Sequence, residues 1–238
     1  AHDYLYPNTP YHDLRIRHLL WMTTEIVENF IIYNSVAQQP SLKMQLLSQY
    51  YTKNELYKFA HNSVEEGIAM MENMKLRNAS YHLQQYQIPA LYFQSNTKNN
   101  RSKEFNLQDV IDHVTLFSII ETLKYACIIQ SLQKISELKI ENHLLEATLT
   151  LVENPVFLED IAVRIYYNIY LVIRDENEAA FNAFIKDIKE NENYFTTHDL
   201  KDLYLLAINF CVKKSNQNLQ EYTQQAFELY IYAIDKGY

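Results

Sequence analysis

Two glycines in 238 residues, Gly67 and Gly237, restrict this chain more than any other feature. Average usage is about 7%. A sheet of tight hairpins needs Gly, Asn-Gly or Asp-Gly, because those turns require positive φ. A nucleotide-binding α/β fold needs glycine where backbone meets phosphate. Neither is open to this chain. Proline is also scarce, at five. Helices joined by polar loops remain, and the plentiful Leu, Ile, Ala, Lys, Glu and Gln suit long helical windows. The same scarcity removes the phosphate loop GxxxxGKS/T, the dinucleotide fingerprint GxGxxG and the nucleophile elbow GxSxG.

The helices can be placed in order. Pro10 reads as the first helical position of a segment running to Tyr33, with Ile16, Leu19, Thr23, Ile26, Val27 and Phe30 at helical spacing. Pro40 starts a second helix, to Tyr51. Thr52 and Glu55 have the spacing of a capping box that opens a third, to Met74. Asn78 caps a fourth, which Pro89 should kink or end. The loop-like stretch 95–106 gives the internal boundary, dividing an N-terminal segment 1–97 from a C-terminal repeat segment 98–238 of one continuous array. Asn106 caps a long fifth helix to Glu137. Helices over 141–153, 156–173, 176–190, 198–214 and 219–235 follow, with links so short that neighbours should run antiparallel.

Residues 161–173, IAVRIYYNIYLVI, are apolar or aromatic except Arg164 and Asn168. Thirteen residues are too few to span a bilayer, and no run of about 18 apolar residues exists elsewhere. A helix apolar on most sides is one buried on most sides. Asn168 and Asn209 occupy similar places 41 residues apart, as do Phe181 and Tyr222. Two helices per repeat of about 40 residues is a solenoid period.

The blocks YHDLRIRHLLWMTTEIVENFIIY, LRNASYHLQQYQI, NLQDVIDHVTLFSIIETLKYACIIQSL and AVRIYYNIYLVI through LYLLAINFCVKK and YTQQAFELYIYAIDKG resemble those of a family of helical-repeat proteins from Bacteroidetes bacteria, tetratricopeptide-like in build. The resemblance covers most of the chain. It implies a fold and supplies no catalytic residues. It also implies a longer protein, of which this chain, opening Ala1-His2-Asp3, is expected to be a fragment.

The chemistry is sparse. HExxH is absent, and no histidine follows a glutamate by three positions, as a di-iron helix pair requires. Asp109 and His113 lie four apart on one helix face, as do His61 and Glu65. Each is half of a metal site or a local pair on a solvated face; the second reading is adopted, with no metal and no cofactor expected. Cys127 and Cys211 belong to no CxxC pair and sit among apolar residues, so buried reduced thiols are expected. The formal charge of −8 argues against nucleic acid and anionic membranes.

Two binding surfaces are proposed from residue types. Arg17 and Trp21 lie off the apolar stripe of the first helix, and Trp and Arg are what interface hot spots favour. Tyr81, His82 and Tyr86 cluster ahead of Pro89, with Arg101 between Lys98 and Lys103 in the loop beyond. The sequence therefore predicts an all-α protein of antiparallel hairpins, stacked as an α-solenoid. Its expected function is a non-enzymatic scaffold for a protein or peptide partner, in the cytoplasm. The alternative is a helical sensor that encloses a small apolar ligand, and an enzyme of scattered carboxylates and histidines ranks third.

Overall fold

In the computed structural model, residues 7, 12–95, 107–133, 139–217 and 219–238 are described. All regular structure among them is helical. The α-helices are α1 (Asp13–Ala37), α2 (Pro40–Lys53), α3 (Tyr57–Glu72), α4 (Ala79–Ser95), α5 (Leu107–Gln133), α6 (Leu145–Val152), α7 (Ile161–Asp175), α8 (Glu178–Glu190), α9 (Thr197–Ser215) and α10 (Gln220–Lys236). Short 3-10 turns cover Pro155–Glu159 and Glu192–Tyr194. The helix starts expected at Pro10 and Asn106, and the loop bearing Lys98, Arg101 and Lys103, lie outside the described residues.

The chain forms two compact units, residues 1–70 and 71–238. The division falls within α3 rather than at 97/98. The reason is packing: α4 lies against α5 and joins its unit.

In the first unit α1 packs on α2. Met44 and Ser48 of α2 and Ala60 and Val64 of α3 are buried, and Tyr51 meets Phe59 at 5.7 Å between ring centroids. No residue of α1 is buried. Of the expected stripe, Ile16 and Leu19 are part-buried, while Thr23, Ile26, Val27 and Phe30 are exposed.

The capping box expected at Thr52 and Glu55 is not formed. α2 runs on to Lys53, so Thr52 belongs to its last turn. Glu55 N–H donates to Thr52 O (3.1 Å) and Leu56 N–H to Tyr51 O (2.8 Å). That pair of bonds is a Schellman termination, and it holds Glu55 at φ 60°. α10 ends the same way through Tyr238 N–H to Ala233 O and Gly237 N–H to Ile234 O (both 2.9 Å), but with glycine at the left-handed position, φ 80°.

The second unit holds a continuous core drawn from α5 to α10. α4 packs on α5, α5 on α7, α7 on α8 and α9 on α10. α7 carries the segment IAVRIYYNIYLVI, and Ile161, Ala162, Val163, Ile165, Tyr166, Ile169, Tyr170 and Val172 are all buried. The one charge within 161–173, Arg164, makes a two-pronged contact with Asp187 of α8 (2.8 and 3.2 Å) and donates to Leu158 O. That pairing lets a guanidinium lie against the core without an unmatched charge. α7 begins at Ile161 rather than at the expected 156, because Asn154 caps a 3-10 turn and Asp160 then caps a new helix by accepting from Ala162 N–H and Val163 N–H. Pro89 lies inside α4, which continues past it to Ser95.

Several positions 41 residues apart share burial, whereas Ile161 and Asp202, and Val172 and Lys213, do not. Ala162 and Leu203, Tyr166 and Ala207, Ile169 and Phe210, Tyr170 and Cys211, and Phe181 and Tyr222 are pairs in which both members are buried. Both cysteines are free and buried. Burial raises the Cys127 thiol to about 12 and the Cys211 thiol to about 11, so both stay protonated and inert. Among the described residues, α5 alone is long and apolar enough to cross a membrane. Its Ile119, Ile120, Leu123, Ala126 and Cys127 are committed to the core.

Candidate functional site

The second unit gathers polar chemistry at the start of α4. Asn78 caps that helix, its Oδ1 accepting from Tyr81 N–H (3.2 Å), while its Nδ2 donates to Asp199 Oδ2 (2.8 Å). Asp199 is itself the third residue of α9 and closes a true capping box with Thr196. One turn along α4, His82 places Nδ1 3.0 Å from Nδ1 of His113 on α5. Its Nε2 lies 3.0 Å from Asp160 Oδ2, at the cap of α7. The Nε2 contact is poorly aligned, so that nitrogen has no well-formed hydrogen bond and the attraction is electrostatic. Tyr81 stands edge-on to both imidazoles, at 5.1 Å and 5.9 Å. The Arg77 guanidinium covers the Tyr81 ring at 4.4 Å.

Two imidazole nitrogens 3.0 Å apart bond only if one donates and the other accepts. The pair therefore carries at most one extra proton without repulsion. Burial, and then the neighbouring His82, lower the pKa of His113 below the ordinary imidazole value, against the raising influence of Asp109, Asp112 and Asp160. The Asp109–His113 spacing thus marks the surroundings of a histidine pair. Among the described residues no group of three or more His, Cys, Asp or Glu side chains is placed to hold a metal ion.

His82 is only 2% exposed and serves the joint between α4, α5 and the start of α7. Tyr81 is part-buried beside it, and Tyr86 is at the edge of exposure, at 36%. Trp21 is 61% exposed and stacks on His18 (5.9 Å between centroids). Arg17 is open to solvent and pairs with Asp13 at 2.8 Å. These two belong to the first unit and the tyrosines and histidines to the second. Arg101 lies outside the described residues.

A second site is not marked by any short motif. α5, α7 and α9, with Phe184 of α8, line an apolar groove with two lobes, of about 270 and about 420 Å³. The lobes adjoin at Ser131 of α5 and Leu206 of α9, which line both. Ile128 and Leu132 line the groove from α5, Tyr166 and Ile173 from α7, and Leu205 from α9. Lys124 and Asp202 stand at one lobe and Lys213 at the other. Ile128, Leu132 and Leu205 are exposed, which makes the trough open rather than enclosed. No family model matches the chain, and neither a curated protein nor a solved structure does.

Proposed function

We propose that this chain is a non-enzymatic helical-repeat scaffold whose hairpins stack as an α-solenoid and whose inner helices bind an apolar protein or peptide segment. The groove across α5, α7 and α9 carries this reading. Most of its lining comes from α5, α7 and α9, with Phe184 of α8 added at one lobe, and a surface built mainly from alternate helices is what the inner layer of a solenoid offers. Shared burial at several pairs 41 residues apart supports the same stacking. An aliphatic trough with charged residues at its ends suits an amphipathic helix that inserts residues at i, i+3 or i+4, and i+7.

The test uses the full chain to select binders from a random peptide library. Selected peptides should share apolar anchors at helical spacing. Leu205→Asp and Ile128→Asp, both at exposed positions, should each weaken their binding at least tenfold with unchanged circular dichroism. Peptides that bind equally well to both variants would place the binding surface elsewhere.

A further inference from the structure

We infer that Asp160, His82 and His113 form an acid-released latch, which fastens the first two turns of α4 to α5 and to the cap of α7 and lets them go when the histidines take up protons. The latch uses none of the groove residues and stands apart from the scaffold reading.

The direction of its hydrogens is the first support. Asp160 Oδ1 accepts from Ala162 N–H and Val163 N–H, and its Oδ2 faces His82 Nε2 at 3.0 Å. A nitrogen lone pair turned toward a carboxylate oxygen is repelled, so Nε2 carries the hydrogen. His82 Nδ1 is then an acceptor, and it takes its hydrogen from His113 Nδ1, 3.0 Å away. The hydrogens all point one way, from His113 through His82 toward Asp160. His113 Nε2 is left as the open basic nitrogen of the pair.

Proton counting is the second. A first proton goes to His113 Nε2 and leaves every link in place. A second has only His82 Nδ1 to go to. Two N–H groups would then meet head on at 3.0 Å, in a site where His82 is 2% exposed. The closed latch therefore holds one added proton, whereas two imidazoles free in water hold two once the pH is below about 6. Opening takes up a proton, so its equilibrium constant rises about tenfold for each pH unit lost.

The surroundings are the third. On α4, Tyr81 stands edge-on to both rings, and Arg77 adds a positive charge above Tyr81. On α5, Asp109 and Asp112 favour a proton on His113, as does Asp160 at the cap of α7. Arg164 of α7 is bound to Asp187 and also acts on Asp160. Asp199, at the start of α9, is engaged by Asn78 and Thr196. Burial and the neighbouring His82 outweigh these acids at His113. The release has a natural limit. Ile88 and Leu91 are buried further along α4, so they hold its second half in place. The links that part with the latch are Asn78 to Asp199 and Arg77 N–H to Tyr194 O (2.8 Å).

Hydrogen exchange of the full chain, corrected for the intrinsic effect of pH, reads the opening. Between about pH 6 and about pH 5, peptides covering 79–87 should open about tenfold more per unit, while peptides of α8 and α10 should not. His113→Gln should abolish that dependence, because an amide can turn either its oxygen or its nitrogen to His82 Nδ1. Asp160→Asn keeps a competent helix cap but reverses the chain of hydrogens, which leaves the closed latch no open nitrogen. Its release should therefore move to higher pH and become steeper. Nitrogen-15 spectra of the histidine-labelled wild-type chain near neutral pH should show Nε2–H at His82 and Nδ1–H at His113, which decides the matter if a variant fails to fold. Opening of α4 indifferent to pH, equal loosening of α8 and α10, an unaltered profile in His113→Gln, release unmoved by Asp160→Asn, or the opposite tautomers would each overturn the proposal.

Discussion

Ile165→Ala is the most direct probe of what holds the second unit together. Ile165 is fully buried in the middle of α7. The substitution removes three carbons, worth about 2.4 kcal/mol of transfer free energy at about 0.8 each. The void that remains adds to this, since packed neighbours relax only in part. The expected loss is about 3–4 kcal/mol, within the 2–5 found for such truncations. Ile32→Ala on the exposed back of α1 is the control, and it should stay within about 0.5 kcal/mol. Urea unfolding followed by circular dichroism should show a lower midpoint with an unchanged slope for Ile165→Ala. Because the chain has two units, hydrogen exchange of peptides covering α7 should be measured alongside, to tie the loss to that helix. A cost under about 1 kcal/mol, or one equal to that of Ile32→Ala, would refute the claim that α7 is the centre of the core.

Two further outcomes follow from local geometry. His113 titrates below its unfolded value, so the folded state binds fewer protons than the unfolded one; stability should be full above about pH 6.5 and fall as pH drops through the lowered folded value. His113→Gln should flatten that fall, as urea midpoints on either side of pH 6.5 would show, and an unchanged pH profile would remove the histidine pair as its source. Glu55 occupies the left-handed site of a Schellman termination that α10 fills with Gly237, at a backbone cost of about 1–2 kcal/mol for a residue with a Cβ. After glycine's own entropy is subtracted, Glu55→Gly should stabilise by about 0.5 kcal/mol in thermal or urea melts, and destabilisation would show that Glu55 holds a contact worth more than the strain.

Much of the architecture is written locally, and so it was legible. Glycine scarcity excludes hairpin sheets whatever the tertiary fold. The all-round apolar face of 161–173 demands burial on several sides, and Ile165 and Ile169 receive it. Asn78 can be recognised as a cap because its competence depends only on the next three residues. Thr52 and Glu55 satisfied the same local rule and failed it. The stronger helix-forming run of α2 carried through Thr52, and the ending was decided at Asn54, where Nδ2 donates to Tyr50 O. The sites were less accessible for a different reason. His82, His113 and Asp160 meet from three separate elements, and periodicity assigns a residue to a face without naming what lies across from it. The groove joins Ile128, Tyr166 and Leu205, each unremarkable in its own segment. The 41-residue spacing of Asn168 and Asn209 was the one available signal, because it relates α7 to α9, both of which line the groove.

α1 and α7 show how two apolar helices reach different ends. Of the two arginines of α7, Arg164 is answered by Asp187 on the next helix and Arg174 by Asp175 in its own last turn, so its charges are met within the chain. α1 buries no residue, and its stripe receives only partial cover, at Ile16 and Leu19. Its Arg17 is answered one turn away on the same helix by Asp13 at 2.8 Å, an exposed pair that adds little to stability, so neither its charges nor its apolar side chains tie it to a core as those of α7 do.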